Sequence, residues 1–540
     1  LLDYLRDKEM LLLLDNFERL LPSPNADAIP ATASTPEAKT EKRRDLVASV
    51  LASAPGVKIL VTSRQTLELR QEWLHPVAGM RFPEREMEGR NDPETDLRTY
   101  SAVRFFTQCA LRARPDFSFP DEQQCVVRIC RLVDGMPLGI ELAAAWLKAL
   151  TCEKIAEEIE RSLDFLTTSM RDVPERHRSM RAVLEHSWEL LSDVEKDVLQ
   201  RLSVFRGGFQ SDAAQQVAGA SFPVLAALVE KSLVRLTPAG RYGMHELLRQ
   251  FAAEKLAESL EEEHAAQTRH GRYYLAFLQH REGQLKGGQK STIFTEIGKE
   301  LDNVRVGWNW AIKQRQLDQI DQSLEGLYEF YRVRSRFQEG EEAFRQATQR
   351  SLKPTLDEND DHSVVWAKLL ARRGAFCYLL GRYTDAKKWL GESLALSRQP
   401  SAHRETAFAL NLLGDVVRRQ GDDAQAKQLY SESLTINREL GDQLGVAYAL
   451  NRLGWVYEYQ GRYRDAKTRF TESLDLYREL NHQQGIAHSL DKFAAMSLIL
   501  GEYAEAEEHY GQSLAIFIEI EDRLGTARAL GGLGFVAFGM

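Results

Sequence analysis

Residues 10–18 read MLLLLDNFE: four leucines run straight into the carboxylate of Asp15, with Asn16 and Glu18 just beyond it. A strand that carries a hard oxygen ligand to its end suits a magnesium ion held beside a nucleotide phosphate. The plain alternative is a buried strand that stops in a polar turn. A second apolar run, VKILVTSR at 57–64, ends in the same manner on Arg64, whose guanidinium fork matches phosphate oxygens. If the two runs are neighbouring strands, carboxylate and guanidinium converge on one small ligand.

Both runs look like fully buried parallel strands. Between them, 22–44 is rich in Pro, Ala and Thr and is expected to be a disordered surface insertion. DLVASVLASA (45–54) then reads as a helix, which completes a β–α–β unit. In such sheets ligands sit beyond the carboxyl ends of the strands, where Asp15 and Arg64 stand. A polar linker, FPEREMEGRNDPETDLRTY, follows. From Ala102 to about Thr168 the pattern is helical, punctuated at RPDFSFPDEQ and at DGMPLG, where Gly135 and Pro137 precede IELAAAWLKAL. Three helical stretches in 176–260 and a hairpin turning at PAG make a winged-helix pattern, and HELLRQFAAEKLAESL continues as an amphipathic helix.

The strongest signal is a repeat of period 40. Ala367, Ala407, Ala447, Ala487 and Ala527 share one column, and Leu370, Leu410, Leu450, Leu490 and Leu530 share another. Gly374, Gly414, Gly454, Ala494 and Gly534 follow; Gly381, Gly421, Gly461 and Gly501 mark a turn; Ala386, Ala426, Ala466 and Ala506 open the next segment, which Leu394, Leu434, Leu474 and Leu514 close. Each unit is helix, turn, helix, with small residues where helices approach closely. The segment SRFQEGEEAFRQA (335–347) looks like a degenerate earlier copy.

Bulk properties set limits. The chain has 540 residues, 43% hydrophobic and 28% charged, with net charge −9. That balance gives no broad basic field for nucleic acid or an anionic membrane. No apolar run reaches the ~18 residues that span a bilayer. Cysteines 109, 125, 130, 152 and 377 form no CxxC pair and read as reduced thiols, which points to the cytoplasm.

The repeat units resemble tetratricopeptide repeats in a long form. The whole chain resembles the STAND class of signal-transduction NTPases, and more narrowly the bacterial transcription regulators that join an NB-ARC-like ATPase, a winged helix and tetratricopeptide repeats. LLLLDNFE matches the family's Walker B strand, ILVTSR its sensor-1 strand, GMPLGIELAAAW its GLPL motif, and GMHELLRQFAAEKL its MHD motif, with Glu246 where Asp is usual. The expected fold is multidomain and mostly α. It comprises half of a P-loop NTPase α/β sheet (1–82), a helical domain (97–172), a winged helix (176–260), a helical linker (261–350) and an α-solenoid (355–540).

The resemblance implies ATP or ADP with Mg²⁺ as cofactors. Asp15 would hold the metal through water, Arg64 would read the γ-phosphate, Pro137 would pack on adenine, and His245 would hydrogen-bond the ADP β-phosphate from the winged helix. The bland roles are a solvated charge for Arg64, a helix break for Pro137 and a helix start for His245. Asn16 stands where hydrolysing relatives often carry a second acid; it can orient water but not take its proton, so slow hydrolysis is expected. No G-x-x-x-x-G-K-[ST] loop occurs in these residues. Together with a start that is not Met, this reads as a chain cut from a longer parent, binding nucleotide weakly by itself.

In the repeats, columns that recur are expected to be core and columns that vary are expected to be free to specialise. Asn411, Asp415 and Arg418, then Asn451, Trp455 and Glu458, then Asp491, Ala495 and Leu498, lie at i, i+4, i+7 beside the core face. Other tetratricopeptide arrays place their ligand groove on this stripe, so it is expected to bind a protein, a peptide or a small-molecule inducer. ATP-driven self-association is a further implication. DNA would be reached only through an effector domain outside this chain. The competing readings are a nucleotide-free interaction scaffold and a winged helix that itself binds DNA.

Overall fold

The computed structural model describes residues 5–6, 8–15, 17, 47–63, 67, 69–75, 77, 79–83, 97–167, 179–285, 290–350, 361–397, 402–520 and 522–540. Asn16, Glu18, Arg64 and the insertion 22–44 lie outside the described residues. The chain forms two compact units, 1–274 with 299–307, and 275–298 with 308–540.

The first unit begins with β1 (Met10–Leu14) and β2 (Val57–Val61), paired in parallel with Met10 opposite Val57 and Leu14 opposite Val61. A helix over 47–53 connects them. Its Val47 and Val50 pack on one face of the pair, with Leu12, Leu14, Ile59 and Val61. The opposite face corrects the expectation of fully buried strands, because Leu11, Leu13 and Leu60 are 62%, 63% and 52% exposed. Side chains alternate across a strand, and four identical leucines carry no alternation from which a single covered face can be read.

The next part is helical: Ser101–Ala113, Phe119–Leu132, Pro137–Ala145 and Cys152–Arg161, closed around Phe106, Val126, Ile129, Ile140 and Leu142. The winged-helix part follows, with helices Met180–Glu189, Asp193–Leu202, Ser211–Ala218 and Phe222–Glu230. Ser211–Ala218 is one helix more than the sequence pattern suggests. It is short and packs through small Ala213 and Ala214, so it lacks the large apolar residues that mark its neighbours. The hairpin β3 (Val234–Leu236) and β4 (Tyr242–Met244) is antiparallel, and Phe209 adds an isolated antiparallel bridge to Tyr242. The helix Glu246–Ala257 leaves the hairpin directly.

The second unit is an array of antiparallel helix pairs. Leu317–Val333 and Phe337–Arg350 precede Asp361–Leu379 with Tyr383–Leu396, His403–Arg419 with Asp423–Glu439, Gln443–Tyr459 with Tyr463–Glu479, and Gln483–Ile499 with Tyr503–Glu519; Arg523–Gly539 closes the array. The turn glycines at 381, 421, 461 and 501 adopt φ of 74°, 91°, 72° and 82°, which L side chains rarely do. In the first helices, a Cβ added at Gly414 or Gly454 would stand 2.5 or 2.6 Å from the ring of Tyr430 or Phe470 on the paired helix. A serine column tightens the same pairs. Ser393, Ser433 and Ser473 donate to the carbonyls of Ala367, Ala407 and Ala447 at 2.8, 3.0 and 2.8 Å.

Candidate functional site

At the strand ends, parallel pairing sets Asp15 beside Thr62. The Thr62 hydroxyl donates to Asp15 Oδ1, and the backbone ties Phe17 N to Thr62 O at 3.0 Å. Asp15 is exposed. An exposed carboxylate fixed by a hydroxyl fits a magnesium ion that keeps most of its water. Among the described residues no group of three His, Cys, Asp or Glu side chains is arranged as a metal cage.

A second locus joins three segments of the first unit at one turn. Asp134 and Gly135 both have positive φ, 48° and 63°. Met80 N donates to Gly135 O at 2.8 Å, and a Cβ on Gly135 would meet Met80 O at 2.0 Å, so only glycine allows the segment around Met80 to lie this close. Two residues on, Pro137 is the exposed first residue of its helix, where the missing N–H costs nothing. From the other side comes His245, buried at the N-terminus of Glu246–Ala257. Its Nδ1 accepts from Leu247 N at 2.9 Å, and its Nε2 lies 3.1 Å from Val133 O. The first contact needs a lone pair on Nδ1, so the proton sits on Nε2 and is donated to the carbonyl. Burial pushes the His245 pKa down, against the Asp134 carboxylate, and the ring is neutral. Arg235 of the hairpin forms an ion pair with Asp134. The winged-helix part therefore grips the turn that leads into Pro137 by one side-chain hydrogen bond and one ion pair.

Both ring nitrogens of His245 are thus engaged by backbone groups, and the ring offers none to a phosphate in this arrangement. Glu246 is turned to its own helix, 2.6 Å from Arg249 Nη2. Burial opposes its charge, but the Arg249 guanidinium holds its carboxyl below the usual carboxylate range. The helix Phe222–Glu230, FPVLAALVE, carries no Lys or Arg with which to meet DNA phosphates.

The repeat stripe is the main correction. Asn411, Asp415, Asn451 and Asp491 are 7%, 1%, 8% and 6% exposed. They are buried, and three of them, Asp415, Asn451 and Asp491, join neighbouring units. Asp415 accepts from Tyr430 Oη at 2.7 Å and Tyr448 Oη at 3.1 Å, and pairs with Arg452 at 3.0 Å. Asn451 Nδ2 donates to Ser489 Oγ at 3.1 Å, Glu458 pairs with Lys492 at 3.0 Å, and Asp491 pairs with Arg528 at 3.4 Å. Varied columns look like free surface in a sequence, yet here they vary because each acid is matched to a cation about one unit on. Trp455, half-buried, has the guanidinium carbons of Arg418 and Arg452 5.0 and 4.4 Å from its ring centre.

Helix pairs stacked on a 40-residue period, with glycine seats and αL turns, define an α-solenoid. Residues 364–439 and 425–479 match the family described as Tetratricopeptide repeat, and this array is one. A protein of Mycobacterium tuberculosis named "Putative HTH-type transcriptional regulator" is 28% identical over 348 residues, 62% of this chain and 35% of its own length. Another from the same organism, named "Uncharacterized protein", is 31% identical over 273 residues, 48% of this chain and 60% of its own length. The chain thus spans about a third to three-fifths of the length of these curated relatives. Among solved structures, a STAND ATPase with a tetratricopeptide repeat sensor from Pyrococcus horikoshii covers 98% of this chain and 72% of its own at 16% identity and a TM-score of 0.39. A Rap protein complexed with Competence and Sporulation Factor covers 50% of this chain and 85% of its own at 14% identity and a TM-score of 0.35. Superpositions this loose carry no argument of their own. The mostly α, multidomain fold with a tetratricopeptide solenoid is the one described above.

Proposed function

We propose that this chain is the switch and sensor part of a nucleotide-gated regulator, in which a signal received on the repeats controls a nucleotide-dependent change in the first unit. The observation that carries this reading is the clasp on the Asp134–Gly135 turn. Met80, Pro137, Arg235 and His245 come from three segments and meet at one backbone turn. A ligand seated against Pro137 would bias whether the winged-helix part keeps its grip. His245 then acts as a positioning residue, and a direct phosphate contact would require Nε2 to leave Val133 O. The names of the relatives support transcription as the output, and DNA would be met by an effector domain outside these residues.

Isothermal titration with ADP and MgATP tests the reading. This chain, without a Walker A loop, is expected to bind weakly. A longer natural form carrying GKS or GKT upstream is expected to bind with micromolar or tighter affinity and to turn over slowly. Tight binding by the short form, or none by a long form that holds such a loop, sinks it.

A further inference from the structure

The structure assigns Cys125 and Cys152 to a thiol pair that a hydroperoxide closes into a disulfide, across the segment that carries the Asp134–Gly135 turn. The bond stands apart from nucleotide gating; its effect on the winged-helix grip rests on that reading.

Four of the five cysteines lie in the helical part of the first unit, and three of them gather where two of its helices meet. Phe119–Leu132 carries Cys125 and Cys130, and Cys152 is the first residue of Cys152–Arg161. The two helices pack on each other, and Arg128 clamps them by donating to both oxygens of Glu160, at 3.0 and 2.8 Å. Cys125 stands one turn before Arg128, and its sulfur is in hydrogen-bonding contact with the Cys152 thiol. Cys152 and Cys130 are fully buried, and Cys125 is half-buried. A single buried thiol packs as a small apolar group. Two thiols that touch across a helix interface, one of them reached by solvent, can also react with each other. Among the described residues no three His, Cys, Asp or Glu side chains form a metal cage, so the cluster is not a metal site of that kind. Cys125 and Cys130, five residues apart on one helix, project on different sides of it.

The asymmetry of exposure sets the roles. The hydrogen bond to Cys125, and burial with it, push the Cys152 thiol up, so it keeps its proton and meets no oxidant from solvent. Burial pushes Cys130 up to about 12. Cys125 is the thiol that solvent reaches, with the Arg128 guanidinium within electrostatic reach of its sulfur, and partly exposed thiols beside a cation are the ones that oxidise. The Cys125 sulfur attacks one oxygen of the hydroperoxide, the O–O bond breaks, and the other oxygen leaves as water or alcohol with the thiol proton. The Cys152 sulfur then attacks the Cys125 sulfenic acid; the S–S bond forms, the S–O bond breaks, and hydroxide leaves as water with the Cys152 proton. Two thiols are oxidised and one hydroperoxide is reduced. Between the two cysteines lie Val133, whose carbonyl accepts from His245, then Asp134, which pairs with Arg235, and Pro137. A bond across the base of this loop removes conformations in which its flanking helices part. Oxidation therefore holds the turn in the form that the winged-helix part grips, and thiol reduction frees it. In a reducing compartment such bonds are transient and serve as sensors.

The test uses the full 540-residue chain, reduced and then treated with hydrogen peroxide, without nucleotide. Trypsin cuts after Arg128, Arg131, Lys148 and Lys154, so each of the three thiols falls on its own peptide. The nonreduced digest is expected to link the Cys125 peptide to the Cys152 peptide, and dithiothreitol to part them. Cys152→Ala should stop at a Cys125 sulfenic acid that dimedone labels. Cys125→Ser, a change at the half-buried partner, should leave Cys130 and Cys152 reduced, and it serves as the variant if Cys152→Ala does not fold. Peroxide should raise the urea midpoint of the parent chain and leave that of Cys125→Ser in place. Amide exchange over 133–137 should slow severalfold on oxidation. No linked peptide, a link through Cys130 instead of Cys125, a link that forms only in urea, or a bond that leaves both the midpoint and the exchange unchanged overturns the proposal. ADP and ATP take no part in these readings, so failure here leaves the gating proposal standing.

Discussion

At the scale of single residues, the structure separates polar groups that hold the molecule from those open to a ligand. Asp415 is the clearest of the first kind. Asp415→Ala leaves Arg452 and two tyrosine hydroxyls without their acceptor in a buried setting, and is expected to cost about 3–5 kcal/mol. Asp465→Ala, which breaks an ion pair to Arg462 that is half exposed on both sides, is expected to cost under about 1 kcal/mol. Urea unfolding of the two variants checks the contrast, and equal losses would mean that the buried couple is not loaded. His245→Ala removes a helix cap and the tie to Val133, with an expected cost of about 1–2 kcal/mol to the first unit. In a longer form it is expected to raise basal output. A variant as stable as the parent in urea, with unchanged output, would leave the ring only its place at the start of the helix. Part of this was legible in the sequence. Asp15 at a strand end and His245 at a helix start follow from strand and hairpin patterns. The second half of the His245 role was not, because the Val133 carbonyl lies 112 residues away and a backbone acceptor leaves no mark on side-chain identity.

At the scale of elements, the repeat was legible because close packing constrains residue size at fixed intervals. Gly414 and Gly454 were visible as a column, and their cause is the aromatic ring seated above each. A methyl group at Gly454 has no room, so Gly454→Ala is expected to destabilise by about 1–3 kcal/mol through overpacking. Gly391 lies inside the helix Tyr383–Leu396 with nothing within 4 Å of an added Cβ, and Gly391→Ala is expected to stabilise by about 0.5–1 kcal/mol. Thermal melts of the two variants should move in opposite directions; the same direction for both would refute the packing argument. The serine latch at 393, 433 and 473 is equally periodic, yet it does not mark itself in the sequence, because serine on a helix is commonly solvated. The stripe containing Asn411 and Asp415 is hard to read for the opposite reason. Periodicity exposes columns that repeat, and it is blind to columns whose members fit a different partner in each unit.

At the scale of the whole molecule, one buried and one half-buried histidine make stability depend on pH in a defined window. Burial, against the hydrogen bond that His270 Nε2 donates to Asn303 Oδ1, pushes His270 down to about 4, and partial burial with Arg528 nearby pushes His488 to about 4. The unfolded chain binds protons to these rings near pH 6.5, while the folded chain keeps them neutral until about 4. Stability is therefore expected to fall as pH drops from about 6.5 toward 4, with little histidine contribution above 7. For His270 the full loss is on the order of 3 kcal/mol. Urea midpoints at pH 7.5, 6 and 4.5 check the sign, and a midpoint that rises on acidification contradicts it. The serine latch has a last consequence. The seat and the hydroxyl tie lie within each 40-residue unit, so a unit copied or lost in the gene carries its internal fastenings with it. The length of the array can drift in a lineage at little cost to each pair of helices. Arg418, beside Trp455, does not spread by such copying alone, because the 40-residue neighbours of that position are Tyr378 and Glu458. The number of units and the residue at 418 are thus inherited separately, one by counting units and the other by a single codon.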